Sequence, residues 1–420
     1  MFVRLPQMAA KQDAVLNRYS ALVEVDALAK QRFVEFFEDD RLVEGAIRGM
    51  MQQLDPYSGY IAPQELASFE RRTHGDYIGV GIEVGIVDGA PVVIAPVEGS
   101  PAAKAGVRPG DVIVTVNEVD ADGLSVFDIE DRLGGKPGTP VPLRLKRAGQ
   151  DEPLDLTIVR GPVTVETVRG FCRGAKDGWD FAIDAQERIH YIRVSSFCDR
   201  TVPDFDEALD TLRQRQARGL ILDLRFNPGG LTQQAVDMVD RFVAEGLILS
   251  TVTRRGAVQE FHACEDAAMP DLPLVVLINR YSASSAEIVA GALQDHGRAV
   301  IVGERSFGKG SVQHLIHLTS QKAAVKLTVA YYRLPAGRLI HRTAHNANQD
   351  TWGVKPDVEV SLTAAQLSQI QEARRVLDVW PTVLGEEGES PCLFLDPQLA
   401  EALRQGHSLI TAGAKKTKTW

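Results

Sequence analysis

The chain has 420 residues, 44% of them hydrophobic and 24% charged, the balance of a soluble globular protein with core enough for about two to four domains. A net charge of −10, with no basic run beyond a short Lys-Lys-Thr-Lys near the C-terminus, argues against a nucleic-acid partner. No apolar run reaches the length of a membrane span, and the first eight residues lack the apolar core of a signal peptide; the expectation is a cytoplasmic protein or a sequence without its export segment.

Residues 1 to about 72 read as helical. Asp39 or Asp40 caps a helix with apolar positions Val43, Ala46, Ile47, Met50, Met51 and Leu54, a 3.6-residue stripe that Asp55-Pro56 stops. The chain's own body or a second copy must cover that stripe, so a homodimer through these helices is one expectation.

Residues 73 to about 164 read as a second unit. Tyr77-Ile-Gly-Val-Gly-Ile-Glu-Val84 is strand-like and leads to a hairpin signal at Asp88-Gly89. A short helix after Ser100 ends at Gly106, and a turn at Pro109-Gly110 opens the next strand. Gly79-Val80-Gly81 is no dinucleotide fingerprint, because the third glycine is out of place and no helix pattern follows.

From about 165 to 361 the pattern alternates. Tyr191–Val194 and Gly219–Leu224 read as strands, while Phe205, Leu209 and Leu212, then Ala235, Val236, Val239, Phe242 and Val243, mark helix stripes. This predicts a layered sheet with covering helices. Asp223-Leu-Arg-Phe-Asn-Pro-Gly-Gly230 ends a strand with two glycines, which exposes amide N–H groups as an oxyanion hole requires; it also reads as a plain turn. Pro273–Asn279 is a buried strand, and Ser285–Leu293 has the apolar spacing of a helix. Ser284 therefore falls in a strand-to-helix turn, where the helix dipole favours developing negative charge. That suits an acyl-transfer nucleophile; a serine there also suits a helix cap.

A serine hydroxyl needs a base to take its proton, and a lysine serves only when it is neutral. Lys309, between Gly308 and Gly310, is the best candidate, and Gln313 is placed to orient its amine without adding charge. A lysine between glycines also fits a solvated turn. Gly303-x-x-x-x-Gly308-Lys309 approaches a phosphate-binding loop, but Gly310 stands where the magnesium-holding Ser or Thr would be. His314 adjoins Gln313 yet points to the opposite face of a strand. His262 and Cys264 have no further ligands at metal-site spacing, and Cys172, Cys198, Cys264 and Cys392 lie far apart with no CxxC, so no metal site is expected and the redox compartment stays open.

Asn279-Arg-Tyr-Ser-Ala-Ser-Ser-Ala-Glu287 with Val302-Gly-Glu-Arg-Ser-Phe-Gly-Lys-Gly-Ser-Val-Gln313 resembles the catalytic signature of the C-terminal processing peptidases, the tail-specific proteases. Ser285-Ala286 and Ser306 depart slightly from the usual residues. Leu54-Asp-Pro-Tyr-Ser58 is similar to a segment that precedes the family's PDZ domain, and Gly99–Val114 with Gly135–Val141 resembles that domain itself. Lys326–Arg338 and Gly353–Asp357 look like family core segments, the first expected to close the core sheet and the second to end it.

The resemblance implies a multidomain α/β (α+β) protein: an N-terminal helical region at 1–72, a PDZ domain at 73–164, a layered protease core of the crotonase/Clp type at 165–361, and a C-terminal helical region with a polar tail at 362–420. It implies a serine endopeptidase with Ser284 as nucleophile, Lys309 as base and Gln313 as its positioner, working through an acyl-enzyme without a cofactor. Gly229 or Gly230 and the amide of Ser285 would hold the oxyanion. Ile78, Gly79, Val80 and Gly81 would form the PDZ loop that binds a peptide carboxylate, with Ile78, Val80 and Ile82 as the apolar pocket. Gly134 stands where relatives often carry Arg. The partners implied are polypeptides with apolar C-termini and an adaptor or regulatory protein, in the periplasm or cell envelope. Two rivals remain from other classes: a non-catalytic peptide-binding scaffold and a crotonase-like acyl-CoA enzyme. Residues 362 to 420 have no chemical reading.

Overall fold

The computed structural model describes residues 5–416 except 88, 98, 151, 174–177, 265–268, 320–321, 344–345 and 379–395; Cys392 lies outside the described residues. The chain divides into two units, Met1–Pro63 with Gln313–Thr328, and Gln64–Val312 with Val329–Trp420.

The first unit begins with helices Leu5–Arg32 and Asp39–Gln52. Ile47 and Met51 of the second helix pack with Tyr60, Ala62, Leu318 and Ala323. The other edge of its stripe, Val43, Met50 and Leu54, stays exposed, as do Leu22, Val23, Val25 and Leu28 of the first helix. Asp55 ends the stripe by accepting the amides of Tyr57 and Ser58 and the Ser58 hydroxyl. Burial pushes the Asp55 carboxyl up, but these donors hold it below the ordinary value. The next strand, Gly59–Ile61, pairs antiparallel with residues 324–326.

In the second unit a sheet takes the order Ile82–Val87, Ala90–Pro96, Val112–Val116, Pro140–Lys146, Leu154–Val159, so Ile82–Val87 is an edge strand. Helix Val126–Leu133 starts with a reciprocal capping box between Ser125 and Asp128 and buries Ile129 and Leu133 against this sheet.

The larger sheet of the same unit has seven strands. Ile189–Val194, Gly219–Asp223, Leu274–Ile278 and Val300–Gly303 are consecutive parallel neighbours, and Val358–Glu359 adds to the far edge in parallel. These central strands are nearly continuous apolar runs because both faces are covered. Helices Thr201–Gln214, Thr232–Asp240 and Ser285–Asp295 supply one cover through residues such as Phe205, Leu209, Val239, Ile288 and Val289. Helix Pro397–Lys416 supplies the other through Leu399, Ala402 and Ile410 against Ile189, Ile221 and Val275.

One expectation is corrected here. Lys326–Arg338 does not close this sheet: residues 330–333 pair with Leu247–Thr253 in a separate sheet. The outer edge of Val300–Gly303 is already occupied by Val358–Glu359, directly after Gly353–Asp357.

Candidate active site

In an open parallel sheet, sites form beyond the carboxyl ends of the strands. Three adjacent strands end here at one edge: Asp223 lies beside Leu277, and Ile278 beside Gly303. The loops that follow carry Gly229 and Gly230, Ser284, and Lys309. Residues far apart in sequence converge because the parallel register leaves their strands level.

Ser284 has φ 56° and ψ −115°, a backbone conformation costly for any residue with a side chain. Neighbouring groups hold it there. The Ala283 amide donates to the Asn227 carbonyl at 2.9 Å, and the Ser284 amide donates to Glu287 Oε2 at 2.8 Å. Ser282 donates its hydroxyl to the Leu224 carbonyl at 2.8 Å, fixing the strand end to its neighbour. Asn279 Oδ1 accepts the amides of Phe226 and Tyr281, joining the two loops again.

Glu287 was not singled out by the sequence argument, yet it binds both the Ser284 turn and the Lys309 loop. It is fully buried and accepts four hydrogen bonds: Ser284 N and Lys309 N (2.8 Å each) on Oε2, Gly308 N (2.7 Å) and the Ser306 hydroxyl (2.5 Å) on Oε1. Burial raises its carboxyl above the usual value, and those donors pull it part of the way back. The Ser284-x-x-Glu287 spacing of a capping box was the available signal. Tyr332 adds a second tie: its buried hydroxyl lies 2.7 Å from the Lys309 carbonyl and 3.1 Å from that of Ser284, and its one proton serves one acceptor at a time.

The glycine loop packs directly against the serine. A Cβ at Gly229, whose φ is +98°, would lie 2.7 Å from Ser284 Cβ. The Gly229 amide already donates to Asn227 Oδ1 at 2.8 Å, so of the two expected glycine donors Gly229 is committed elsewhere. Gly230 is held differently: the Ser285 hydroxyl donates to its carbonyl at 2.9 Å, which keeps this peptide beside the first turn of the serine helix. Gln313 falls in the first unit, where its side-chain amide donates to Thr328 Oγ1 at 3.3 Å; the Thr328 amide in turn donates to Ser58 Oγ.

Behind the glycine loop lies a buried ionic network that sequence reasoning also missed. Asp223 accepts from Tyr191, Arg225 and Arg374, and Arg225 reaches Asp396 and Gln398. Burial alone would raise the Asp223 carboxyl, but Arg225 and Arg374 hold it well below the carboxylate range. Burial opposes the Arg225 charge, and Asp223 with Asp396 more than offsets this.

In the smaller sheet, Val80, Gly81 and Ile82 line a groove of about 220 Å³ together with Leu133 and Gly134. Gly81, at φ +81°, leaves no room for a Cβ against Ser100. Ile78, expected in the apolar pocket, instead pairs with Pro162, and Gly79 with Gly161; neither lines the groove. Among the described residues no group of His, Cys, Asp and Glu is arranged to hold a metal ion, and His262 pairs with Glu260. No helix among them is long and apolar enough to cross a membrane.

A serine on a strained strand-to-helix turn, joined through one carboxylate to a lysine loop, has the layout a serine-type peptidase requires. The family comparisons agree and go further. The peptidase family S41 model matches residues 188–360, a PDZ domain model residues 92–147, and a model of the activating protease CtpB N-terminal domain residues 4–64. A carboxy-terminal-processing protease of Bartonella bacilliformis is 38% identical over 355 residues, 82% of this chain and 76% of that one. The carboxy-terminal processing protease CtpA of Bacillus subtilis is 36% identical over 347 residues, 82% and 70% of the two chains. Among solved structures, a photosystem II D1 C-terminal processing protease is similar at 32% identity and TM-score 0.48, covering 83% of this chain and 89% of that one. The chain belongs to the C-terminal processing proteases of peptidase family S41.

Proposed function

We propose that the chain is an endopeptidase with a Ser284–Lys309 dyad that takes polypeptides by their C-terminal tails. The observation that carries this reading is the Glu287 clamp, which ties the amides of Ser284 and Lys309 to one carboxylate. Lys309 acts as the neutral base and takes the Ser284 proton as Oγ attacks the scissile carbonyl carbon. The carbonyl electron pair moves to oxygen, where the amides of Gly230 and Ser285 stabilise it. Collapse breaks the C–N bond, and the Lys309 ammonium returns its proton to the leaving amine. Water, deprotonated by Lys309, then cleaves the acyl-enzyme. Gln313 orients the lysine amine. This chemistry calls for no cofactor, and its rate rises with pH as the lysine loses its proton.

The groove beside edge strand Ile82–Val87 receives the tail as an added strand, with the carboxylate at the Val80–Ile82 turn. We take 1–72, 73–164, 165–361 and 362–420 as the working divisions. The exposed apolar positions Val43, Met50 and Leu54 support a homodimer through the N-terminal helices, and the family resemblance supports work in the cell envelope.

The test is cleavage of an unfolded reporter with an apolar C-terminal tail. Wild type should cut, whereas Ser284→Ala and Lys309→Ala should lose turnover and keep the fold. Ordinary cleavage by Lys309→Ala removes the dyad. If no form cuts and all bind the tail, the scaffold reading replaces the enzyme.

A further inference from the structure

Burial alternates along the loop that carries Lys309. Ser306, Gly308 and Gly310 are buried, whereas Phe307 is 45% exposed and Lys309 partly buried. The buried set faces residues 341–354. The Ser306 hydroxyl accepts the Val354 amide at 2.7 Å. A Cβ at Gly308 would lie 2.8 Å from Arg342 Cβ, and one at Gly310 would lie 2.7 Å from the His341 amide nitrogen. Phe307 and Lys309, the residues between, therefore leave the loop from its other face. The Phe307 amide donates to the Ser282 carbonyl at 2.9 Å, two residues before the nucleophile. A large apolar side chain is thus fixed by its backbone between the serine turn and the lysine, and among the described residues it has no ring partner. Tyr281, also exposed on these loops, is engaged elsewhere: it stacks on Phe226 with centroids 5.6 Å apart, and Arg374 lies 5.0 Å over the Phe226 ring.

We propose that Phe307 is a specificity residue: its ring takes the side chain of the substrate residue that carries the leaving amine, and selects an apolar one there. The inference rests on the Ser284–Lys309 reading. Lys309 returns its proton to that amine, so a side chain two residues away on the same face of the loop borders the leaving side of the scissile bond. The substrate side chain in question branches from the carbon bonded to the amine nitrogen. A Leu closing on the ring removes apolar surface from water on both partners. A Gly brings no such surface, and an Asp carboxylate would lose hydration against an apolar face without gaining a partner.

The test first maps, by mass spectrometry, the bonds that the full chain cuts in an unfolded reporter with an apolar C-terminal tail. Peptides built around one such bond then differ only in the residue after it: Leu, Gly or Asp. Wild type should cut the Leu peptide with a kcat/KM about tenfold above that of the Gly peptide, and the Asp peptide most slowly. Phe307→Ala should shrink the Leu-to-Gly ratio about fivefold, and Phe307→Leu should restore most of it. An equal loss on all three peptides in Phe307→Ala would make the ring a structural part of the lysine loop and overturn the proposal. So would a ratio that Phe307→Ala leaves alone, or an effect that follows the residue before the cut bond in a second peptide series. Sedimentation supplies a further check: a change of oligomeric state in Phe307→Ala would assign the ring to a contact between copies, which also overturns the proposal. Ordinary cleavage by Lys309→Ala, by contrast, removes the dyad and with it the premise, whatever the ratio. If wild type cuts nothing, the enzyme reading and this proposal fall together.

Discussion

At Glu287 one side chain does the work of a small scaffold, because two oxygens accept from four donors spread over two segments. Glu287→Gln keeps the shape but turns an NH2 group onto two of those donors in either orientation. The expected result is a loss of about 1–3 kcal/mol in stability and a fall in kcat, read by thermal unfolding and by steady-state cleavage. At Gly229 an added methyl would press on Ser284 Cβ at a φ that favours glycine. Gly229→Ala should lower kcat about 100-fold through misplacement of the nucleophile, with KM much less affected. The serine, the lysine and the glycine pair could be picked out as candidates because each sits in a short stretch with its own chemical pattern. The reach of Glu287 to Lys309 could not, since a bond across 22 residues leaves no local pattern.

Among the elements, the C-terminal helix Pro397–Lys416 is a layer of the core and not an appendage. Asp396, at its start, bonds the buried Arg225 two residues before Asn227. Asp396→Ala leaves that guanidinium short of a counter-charge and should cost about 3 kcal/mol, measured by denaturant unfolding. Asp223 gives the pH dependence. Its folded carboxyl is depressed, so its contribution is present above the ordinary carboxylate value of about 3.9 and is lost as pH falls below it. The stability gap between wild type and Asp223→Asn should therefore narrow as pH falls below about 4. The alternating strands and helices of 165–361 were readable from apolar spacing. The place of residues 326–338 was not, because strand character says nothing about which sheet edge is vacant. Nor was the role of 362–420, whose contacts to Arg225 span 171 and 173 residues.

For the whole molecule, the proposed function joins a peptide groove to a serine-type site and adds a self-association surface. Val43 and Met50 remain exposed on the helix that buries Ile47 and Met51. Sedimentation should show wild type as a dimer and the Val43→Asp/Met50→Asp variant as a monomer; a monomeric wild type would refute the dimer. The central claim is that Lys309 activates Ser284. Its most direct test is labelling by a serine-reactive phosphonate followed by peptide mapping. Wild type should carry the label on Ser284, faster as pH rises, and Lys309→Ala should stay unlabelled while unfolding at nearly the same temperature. Equal labelling of Ser284 in Lys309→Ala, or a label on another serine, would contradict the account.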